Sequence, residues 1–191
     1  MSVFHESIFK TYLNGLVETA KRRDAREESF YPVLADFLRD FASATGHKNV
    51  HVTVQPRPTE GGNPDFRVWD GQEAIVGYIE AKPPHENLDK IEGTQQLRRY
   101  LDTFPNVILT NFSEFRLYRN GRRVETALLA RPVVIFELQS PPPLHDPQGT
   151  AELLELFFSF SLPPSFNAKD LAVALAKRTR LLRDAVLNDL K

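Results

Sequence analysis

The sequence predicts a mixed α/β protein in which helices flank a central β-sheet and a C-terminal helical extension follows. Three observations predict this class. Hydrophobic residues recur at helical spacing near the N-terminus, short hydrophobic runs between turn residues fill the middle, and helical spacing returns after a proline-rich segment. The chain has 191 residues, of which 41% are hydrophobic, so it can form one substantial core.

The first half of the chain is predicted to contain two helices followed by three strands. These elements are helices at residues 3–24 and 29–46 and strands at residues 50–55, 65–69 and 74–82. Gly46 is a residue type that ends helices. Asp70 and Gly71 are turn formers, so they predict a hairpin between the second and third strands.

The second half is predicted to add a helix, further strands and two more helices. These elements are a helix at residues 88–104, strands at residues 107–109, 115–119, 122–128 and 133–138, and helices at residues 150–160 and 167–190. Asn120-Gly121 is a strong hairpin signal. The proline-rich residues 139–149 predict a stiff linker. No capping residue closes the last helix. We therefore expect this chain to continue in a longer protein, with a natural helical C-terminus as the alternative.

Composition excludes several classes of site. The chain has no cysteine, which excludes disulfides, thiolate zinc sites and a cysteine nucleophile. A net charge of -1 gives no global signature of a nucleic-acid binder, although a basic face can be balanced by acids elsewhere. No apolar run approaches the roughly 20 residues that span a membrane. We therefore expect a soluble, cytoplasmic protein with no membrane partner.

Three charged residues predict a chemical site in the first hairpin. The midpoint between positions 65 and 80 falls at the turn from Asp70 to Ala74, so Asp65 and Glu80 should face each other on neighbouring strands with Cβ atoms about 5 Å apart. Two carboxylates at that distance repel unless a cation lies between them, and Mg²⁺ prefers such ligands. Lys82 lies two residues after Glu80 and therefore points to the same face of the strand.

This arrangement suits phosphodiester hydrolysis. A metal ion activates water and stabilises charge on the phosphate, and the lysine orients that water or stabilises the transition state. The alternative interpretation is structural: Asp65 begins a strand after a proline, and Glu80 and Lys82 form a solvated pair. The hydrophobic run before Glu80 and the pair Gln96 and Tyr100, four apart on the next helix, favour a site.

Four segments resemble the N-terminal endonuclease region of fused restriction–modification enzymes, which belongs to the PD-(D/E)xK nuclease superfamily. They are REESFYPVLADFL, NPDFRVWD, VGYIEAKPPHENLDKIEGTQQLRRYL and PNVILTNFSEFRLYRNG. The resemblance is to the type IIG and single-polypeptide type I enzymes, in which a nuclease, a helical connector and an adenine-specific methyltransferase share one chain. It implies a PD-(D/E)xK nuclease domain at residues 1–138 and a helical connector at residues 150–191.

The resemblance also implies roles for individual residues. Asp65 and Glu80 would bind Mg²⁺, for which Mn²⁺ is expected to substitute, and Lys82 would be the catalytic lysine. Gln96 would be a catalytic residue near the DNA backbone, supported by Tyr100. The family places a further metal-binding acid on the early helix. Glu27 matches it best, with the adjacent Glu28 as the alternative. Acidic residues at this position also have a purely structural interpretation, because the helix dipole stabilises negative charge at a helix N-terminus.

The remaining predicted contacts are with double-stranded DNA. Seven arginines and three acidic residues lie between Arg98 and Arg131, and arginine suits phosphate contacts. Arg98 and Arg99 are the candidates nearest the site. Asn111 is a further candidate for DNA contact, although Asn in a turn needs no other explanation.

The predicted function is Mg²⁺-dependent cleavage of double-stranded DNA by the nuclease part of a restriction–modification enzyme. The partners that the resemblance implies are methyltransferase and target-recognition domains and a second nuclease copy on the DNA. Two alternatives remain: a repair or recombination exonuclease, and a non-catalytic DNA-binding or docking module of the same fold.

Overall fold

The computed structural model describes residues 3–71, 74–131, 140–160 and 168–189. The helices among these residues are α1 (Val3–Ala20), α2 (Tyr31–Ala44), α3 (Leu88–Glu92), α4 (Gln95–Thr103), α5 (Pro147–Phe158) and α6 (Ala168–Asp189). The strands are β1 (His51–Val54), β2 (Phe66–Trp69), β3 (Ile75–Ala81), β4 (Asn106–Thr110), β5 (Glu114–Arg119) and β6 (Arg122–Leu128). A short 3-10 turn, Glu27–Phe30, leads directly into α2.

The described strands form one mixed sheet in chain order, from β1 to β6. Every neighbouring pair is antiparallel except β3 and β4, which run parallel. A parallel pair needs a crossover connection, and here α3 and α4 supply it. The carboxyl ends of β3 and β4 therefore meet at one edge of the sheet, where β2 begins.

Helices cover both faces of the sheet. The larger core contains the buried faces of α1, α2 and α5 packed against one side of the sheet, with Phe37, Phe66 and Phe157 among its residues. A smaller core on the other side includes Tyr78, Leu97 and other buried residues of α3, α4 and the central strands. Every residue of β3 is buried, as expected of a central strand covered on both faces.

The predicted hairpins agree with the structure. The turn at Asp70 and Gly71 separates β2 from β3, and Gly71 adopts φ +83°. A Cβ at Gly71 would lie 1.8 Å from the main-chain oxygen of Asn49, so a side chain cannot fit there. The Asn120-Gly121 turn likewise separates β5 from β6.

The predicted single helix at residues 88–104 is wrong in one respect, because the structure divides it into α3 and α4. The break lies at Gly93 and Thr94. The Thr94 Oγ1 atom accepts a hydrogen bond from the Leu97 N–H at 3.3 Å, so Thr94 caps the N-terminus of α4. The cap therefore begins α4 as a separate helix.

The C-terminal part also differs from its predicted boundaries. α5 begins at Pro147, inside the segment predicted as a linker, and the Asp146 side chain caps it through the Gly149 N–H. The buried face of α5 belongs to the larger core. α6 contacts the rest of the chain through Lys177, whose ammonium donates to Asn120 at 2.7 Å, and through ion pairs of two arginines with Glu60.

The strand predicted at residues 133–138 lies outside the described residues. Among the helices that the structure describes, none is long and apolar enough to cross a membrane.

Candidate active site

The two predicted acids meet at the sheet edge where β3 ends. Phe66 pairs with Ile79, so Asp65, one residue beyond this pair, lies opposite Glu80. The Asp65 Oδ2 atom accepts a hydrogen bond from the Ala81 N–H at 2.8 Å. The main chain of β3 therefore holds Asp65 beside Glu80, as the hairpin register predicted.

Glu80 is the centre of the cluster. Its side chain is buried, with the residue only 2% exposed. The Lys82 ammonium lies 2.6 Å from its Oε1 atom, and the Gln96 amide donates to the same oxygen at 2.7 Å. Two separate elements, the end of β3 and the start of α4, thus contribute donors to one carboxylate oxygen.

Burial and the neighbouring charge of Asp65 raise the pKa of Glu80 to about 7, despite the opposing effect of Lys82. Burial also disfavours the charge on Lys82, but the surrounding carboxylates outweigh it and raise the pKa of the ammonium. Lys82 therefore remains a cation in the neutral pH range.

Glu27 belongs to the cluster and Glu28 does not. Glu27 is half-buried in the turn before α2, whereas Glu28 is exposed. Burial raises the pKa of Glu27, and the charges of Lys82 and Asp65 also act on it. Of the two acids that the sequence left open, the structure brings Glu27 to Asp65 and Lys82.

Tyr31 is a site residue that sequence reasoning missed. Its hydroxyl lies 2.8 Å from Glu27 Oε1 and 2.7 Å from Asp65 Oδ1. In the sequence, Tyr31 belongs to an apolar stripe with Leu34 and Phe37 at helical spacing, a pattern that by itself predicts a core residue. The available signal was its spacing: Tyr31 follows Glu27 by four residues, which places both on one helical face.

Gln96 and Tyr100 connect α4 to the loop before Asp65. Tyr100 is 1% exposed, and its hydroxyl donates to the Asn63 main-chain oxygen at 2.8 Å. The Gln96 amide lies 3.3 Å from that hydroxyl. Gly62, with φ +121°, lets the loop approach, because a Cβ there would lie 2.9 Å from both Arg99 and Tyr100.

Arg98 and Arg99 lie on the exposed side of α4. Together with other residues of this helix they line a surface depression of about 570 Å³, which extends to Gln96. Both arginines are thus exposed on the helix whose Gln96 contacts Glu80.

Asn111 is not brought to this surface, contrary to the prediction. It is 2% exposed, its amide donates to the Glu86 oxygen at 3.0 Å, and its Oδ1 accepts from the Glu114 N–H at 2.9 Å. The side chain holds the loop between β4 and β5, which is the structural role that the sequence also allowed.

Arg116 is likewise removed from the basic surface that the arginine count suggested. Its side chain is 6% exposed and forms ion pairs with Asp89, Glu92 and Glu114. This network attaches α3 to β5.

The donor set fits a hard divalent cation. Among the residues that the structure describes, no three acidic or histidine side chains are placed together as a metal site. Lys82 contacts Glu80, and the Tyr31 hydroxyl lies between Glu27 and Asp65. The buried Oε2 atom of Glu80, however, has no hydrogen-bond partner among the described residues, although buried polar atoms are normally paired. Carboxylate oxygens are the ligands that Mg²⁺ prefers.

Comparisons with solved structures relate this fold to that of a protein bound to DNA. No protein-family model matches the chain, and no curated protein matches it. The chain is similar to a chain of a DrdV–DNA complex determined by cryo-EM, with a TM-score of 0.61 and 21% sequence identity, covering 83% of this chain. The match spans 14% of the DrdV chain. At this identity the likeness shows a shared fold.

Proposed function

We propose that this chain is a nuclease domain that hydrolyses DNA phosphodiester bonds with Mg²⁺, or with Mn²⁺ in its place. The arrangement around Glu80 is the observation that carries the proposal. A buried carboxylate with one unpaired oxygen, a lysine on its other oxygen and a facing aspartate combine candidate metal ligands with a cation beside them. The PD-(D/E)xK resemblance of the sequence supports the same assignment.

In this proposal Asp65, Glu80 and Glu27 hold the metal ion. When bound by these three carboxylates, Mg²⁺ would supply Lewis-acid chemistry for the attacking water and the phosphate charge. Gln96 orients Glu80 through its amide. Lys82 contributes a compact positive charge that stabilises the developing negative charge of the reacting phosphate.

Two observations support DNA as the substrate. The similar DrdV chain was determined in a complex with DNA. Arg98 and Arg99 are exposed on α4, the helix whose Gln96 contacts Glu80. Arginine forms paired hydrogen bonds with phosphate oxygens. We assign these two residues to the DNA backbone, which positions the duplex without reading its sequence.

The proposal extends to a restriction–modification enzyme in the cytoplasm. Methyltransferase and target-recognition domains would then supply sequence recognition. One nuclease site cuts one strand, so a double-strand break requires a second copy on the DNA or two successive cuts.

Nicking of supercoiled plasmid in Mg²⁺ or Mn²⁺, at high protein concentration, tests the function. Asp65→Asn and Lys82→Met should each reduce the nicking rate by at least about 100-fold. The first removes a metal ligand, and the second removes the positive charge that stabilises the reacting phosphate. Glu27→Gln should also lose activity. The matched controls are Asp36→Asn, Lys90→Met and Glu28→Gln, which change exposed residues of the same types.

The outcomes separate the proposed function from its alternatives. If the wild type nicks closed circular DNA and both Asp65→Asn and Lys82→Met abolish this activity, the result supports an endonuclease. Cleavage restricted to linear DNA indicates an exonuclease instead. Binding of DNA without any Mn²⁺ binding by calorimetry contradicts the metal-nuclease proposal and indicates a binding module.

A further inference from the structure

The hydroxyl of Tyr31 joins two acids that come from different parts of the fold. Glu27 lies in the turn before α2, and Asp65 precedes β2. The hydroxyl lies within hydrogen-bond distance of both, at 2.8 Å from Glu27 Oε1 and 2.7 Å from Asp65 Oδ1. Both of these partners are carboxylates that we assign to metal binding.

The ring of Tyr31 holds the hydroxyl in place. Tyr31 is 3% exposed, and its ring packs against Phe66 and Phe112 with centroids 4.9 and 6.4 Å away. Packing of this kind restricts the rotamer. The hydroxyl is therefore fixed relative to the sheet, and the two carboxylates orient toward it.

A phenylalanine would provide the same apolar packing, so the hydroxyl needs a separate explanation. Tyr12 offers a comparison within the same core. It is 2% exposed, and its hydroxyl donates to the main-chain oxygen of Phe112 at 2.8 Å. That bond satisfies a buried main-chain group, whereas the Tyr31 hydroxyl serves two side chains of the cluster.

A hydroxyl has one proton and can donate to only one carboxylate at a time. The second carboxylate nevertheless remains within reach of the same oxygen atom. One of the two acids can therefore stay oriented while the other adjusts to a ligand. Without the hydroxyl, no donor would stand between two acids that repel each other.

We infer that Tyr31 is a positioning residue that holds Glu27 and Asp65 together as a ligand pair for the divalent cation, an inference that rests on the proposed function. Groups that orient metal ligands in this way typically change metal affinity or activity by about 10- to 100-fold when they are removed. Because Tyr31 is buried, loss of its hydroxyl should change the affinity for the metal ion and the reaction rate, and not the affinity for DNA.

The test compares Tyr31→Phe with Tyr12→Phe. Each variant removes one buried hydroxyl, and each keeps the ring that packs in the core. Mn²⁺ binding is measured by calorimetry without DNA, and kcat and KM are measured by plasmid nicking. We expect Tyr31→Phe to raise the Kd for Mn²⁺ about tenfold and to lower kcat about tenfold, with KM for DNA changed less than about twofold. Tyr12→Phe should lower thermal stability and leave the Kd for Mn²⁺ unchanged.

Two results overturn the inference, and they differ from each other. If Tyr31→Phe binds Mn²⁺ as the wild type does, while Asp65→Asn loses binding, the positioning role of Tyr31 is wrong and the proposed function stands. If the wild type binds no Mn²⁺, or Asp65→Asn retains both binding and nicking, the proposed function fails and the inference fails with it.

Discussion

At the scale of single residues, the net charge of the acid cluster depends on whether Glu80 carries a proton. Three acids and one lysine converge on a partly enclosed site, and burial opposes ionisation of Glu27 and Glu80. The pKa of Glu80 is raised to about 7 by burial and by Asp65. In the absence of metal, Glu80 therefore carries a proton through the mildly acidic range.

This shift predicts how stability varies with pH. An acid whose pKa rises on folding binds more protons in the folded state, so stability falls as pH increases between the ordinary pKa of 4.5 and about 7 and is constant above that range. At 1.36 kcal/mol per pKa unit, the loss reaches about 3 kcal/mol. Chemical denaturation of the wild type and Glu80→Gln in EDTA, from pH 4 to 8, measures the difference.

Saturating Mn²⁺ should remove this pH-dependent loss, because a bound cation favours the ionised carboxylate. A difference between wild type and Glu80→Gln that stays constant or rises with pH would contradict the assignment of the raised pKa to Glu80.

The predicted part of the site consists of residues whose spacing is local. Asp65, Glu80 and Lys82 lie on one hairpin, so register and strand periodicity determine their relation. Tyr31 could not be predicted in the same way, because its partner Asp65 is 34 positions away and the apolar helix pattern accounted for it already. The structure does not support the predicted DNA contact of Asn111, because the residue is buried. The sequence alone does not show that its loop is buried.

At the scale of elements, α4 connects the fold to the chemistry. It completes the crossover from β3 to β4, and its first turn brings Gln96 to Glu80. The hydrophobic periodicity of residues 88–104 predicted helical structure, but it could not distinguish one helix from two. The Thr94 cap, a local side-chain hydrogen bond, makes that difference.

Loss of this cap should destabilise α4. We expect Thr94→Ala to lower the free energy of unfolding by about 1 kcal/mol, because the Leu97 N–H loses its acceptor. The nicking rate should also fall several-fold, since Gln96 lies in the first turn of the helix. Urea denaturation and plasmid nicking measure the two effects.

The control for the cap is Thr103→Ala at the opposite end of α4, where the main-chain N–H of Phe104 bonds to the Tyr100 oxygen. A loss of stability at Thr103 equal to that at Thr94 would mean that substitution in this helix, and not capping, causes the effect.

At the scale of the whole molecule, the nearly balanced charge conceals an uneven surface. The net charge is -1, yet Arg98 and Arg99 are exposed on α4, while Arg116 is neutralised by three acids. Counting charges along the sequence could not separate these cases. The distinction depends on which side chains the packing of α3 against β5 buries.

The arginine pair should contribute to DNA affinity in a salt-dependent way. Arg98→Gln with Arg99→Gln is expected to weaken duplex binding and to reduce the slope of log Kd against log salt concentration by about 2, because each lost phosphate contact contributes about 1. Fluorescence anisotropy with a labelled duplex in EDTA measures this slope.

Arg122→Gln with Arg123→Gln is the matched control, since these arginines lie at the turn between β5 and β6. An equal change in slope for both pairs would indicate general attraction to the basic surface and would contradict a specific path beside α4.

The parallel pairing of β3 and β4 has a consequence for how such a site can be inherited. Because α3 and α4 form the crossover between these strands, Asp65, Glu80, Lys82, Gln96 and Tyr100 lie in one uninterrupted stretch of chain, residues 65–100. A single gene segment therefore encodes most of the cluster. Recombination that exchanges this segment would transfer those residues together, whereas Glu27 and Tyr31 would have to be present already in the recipient.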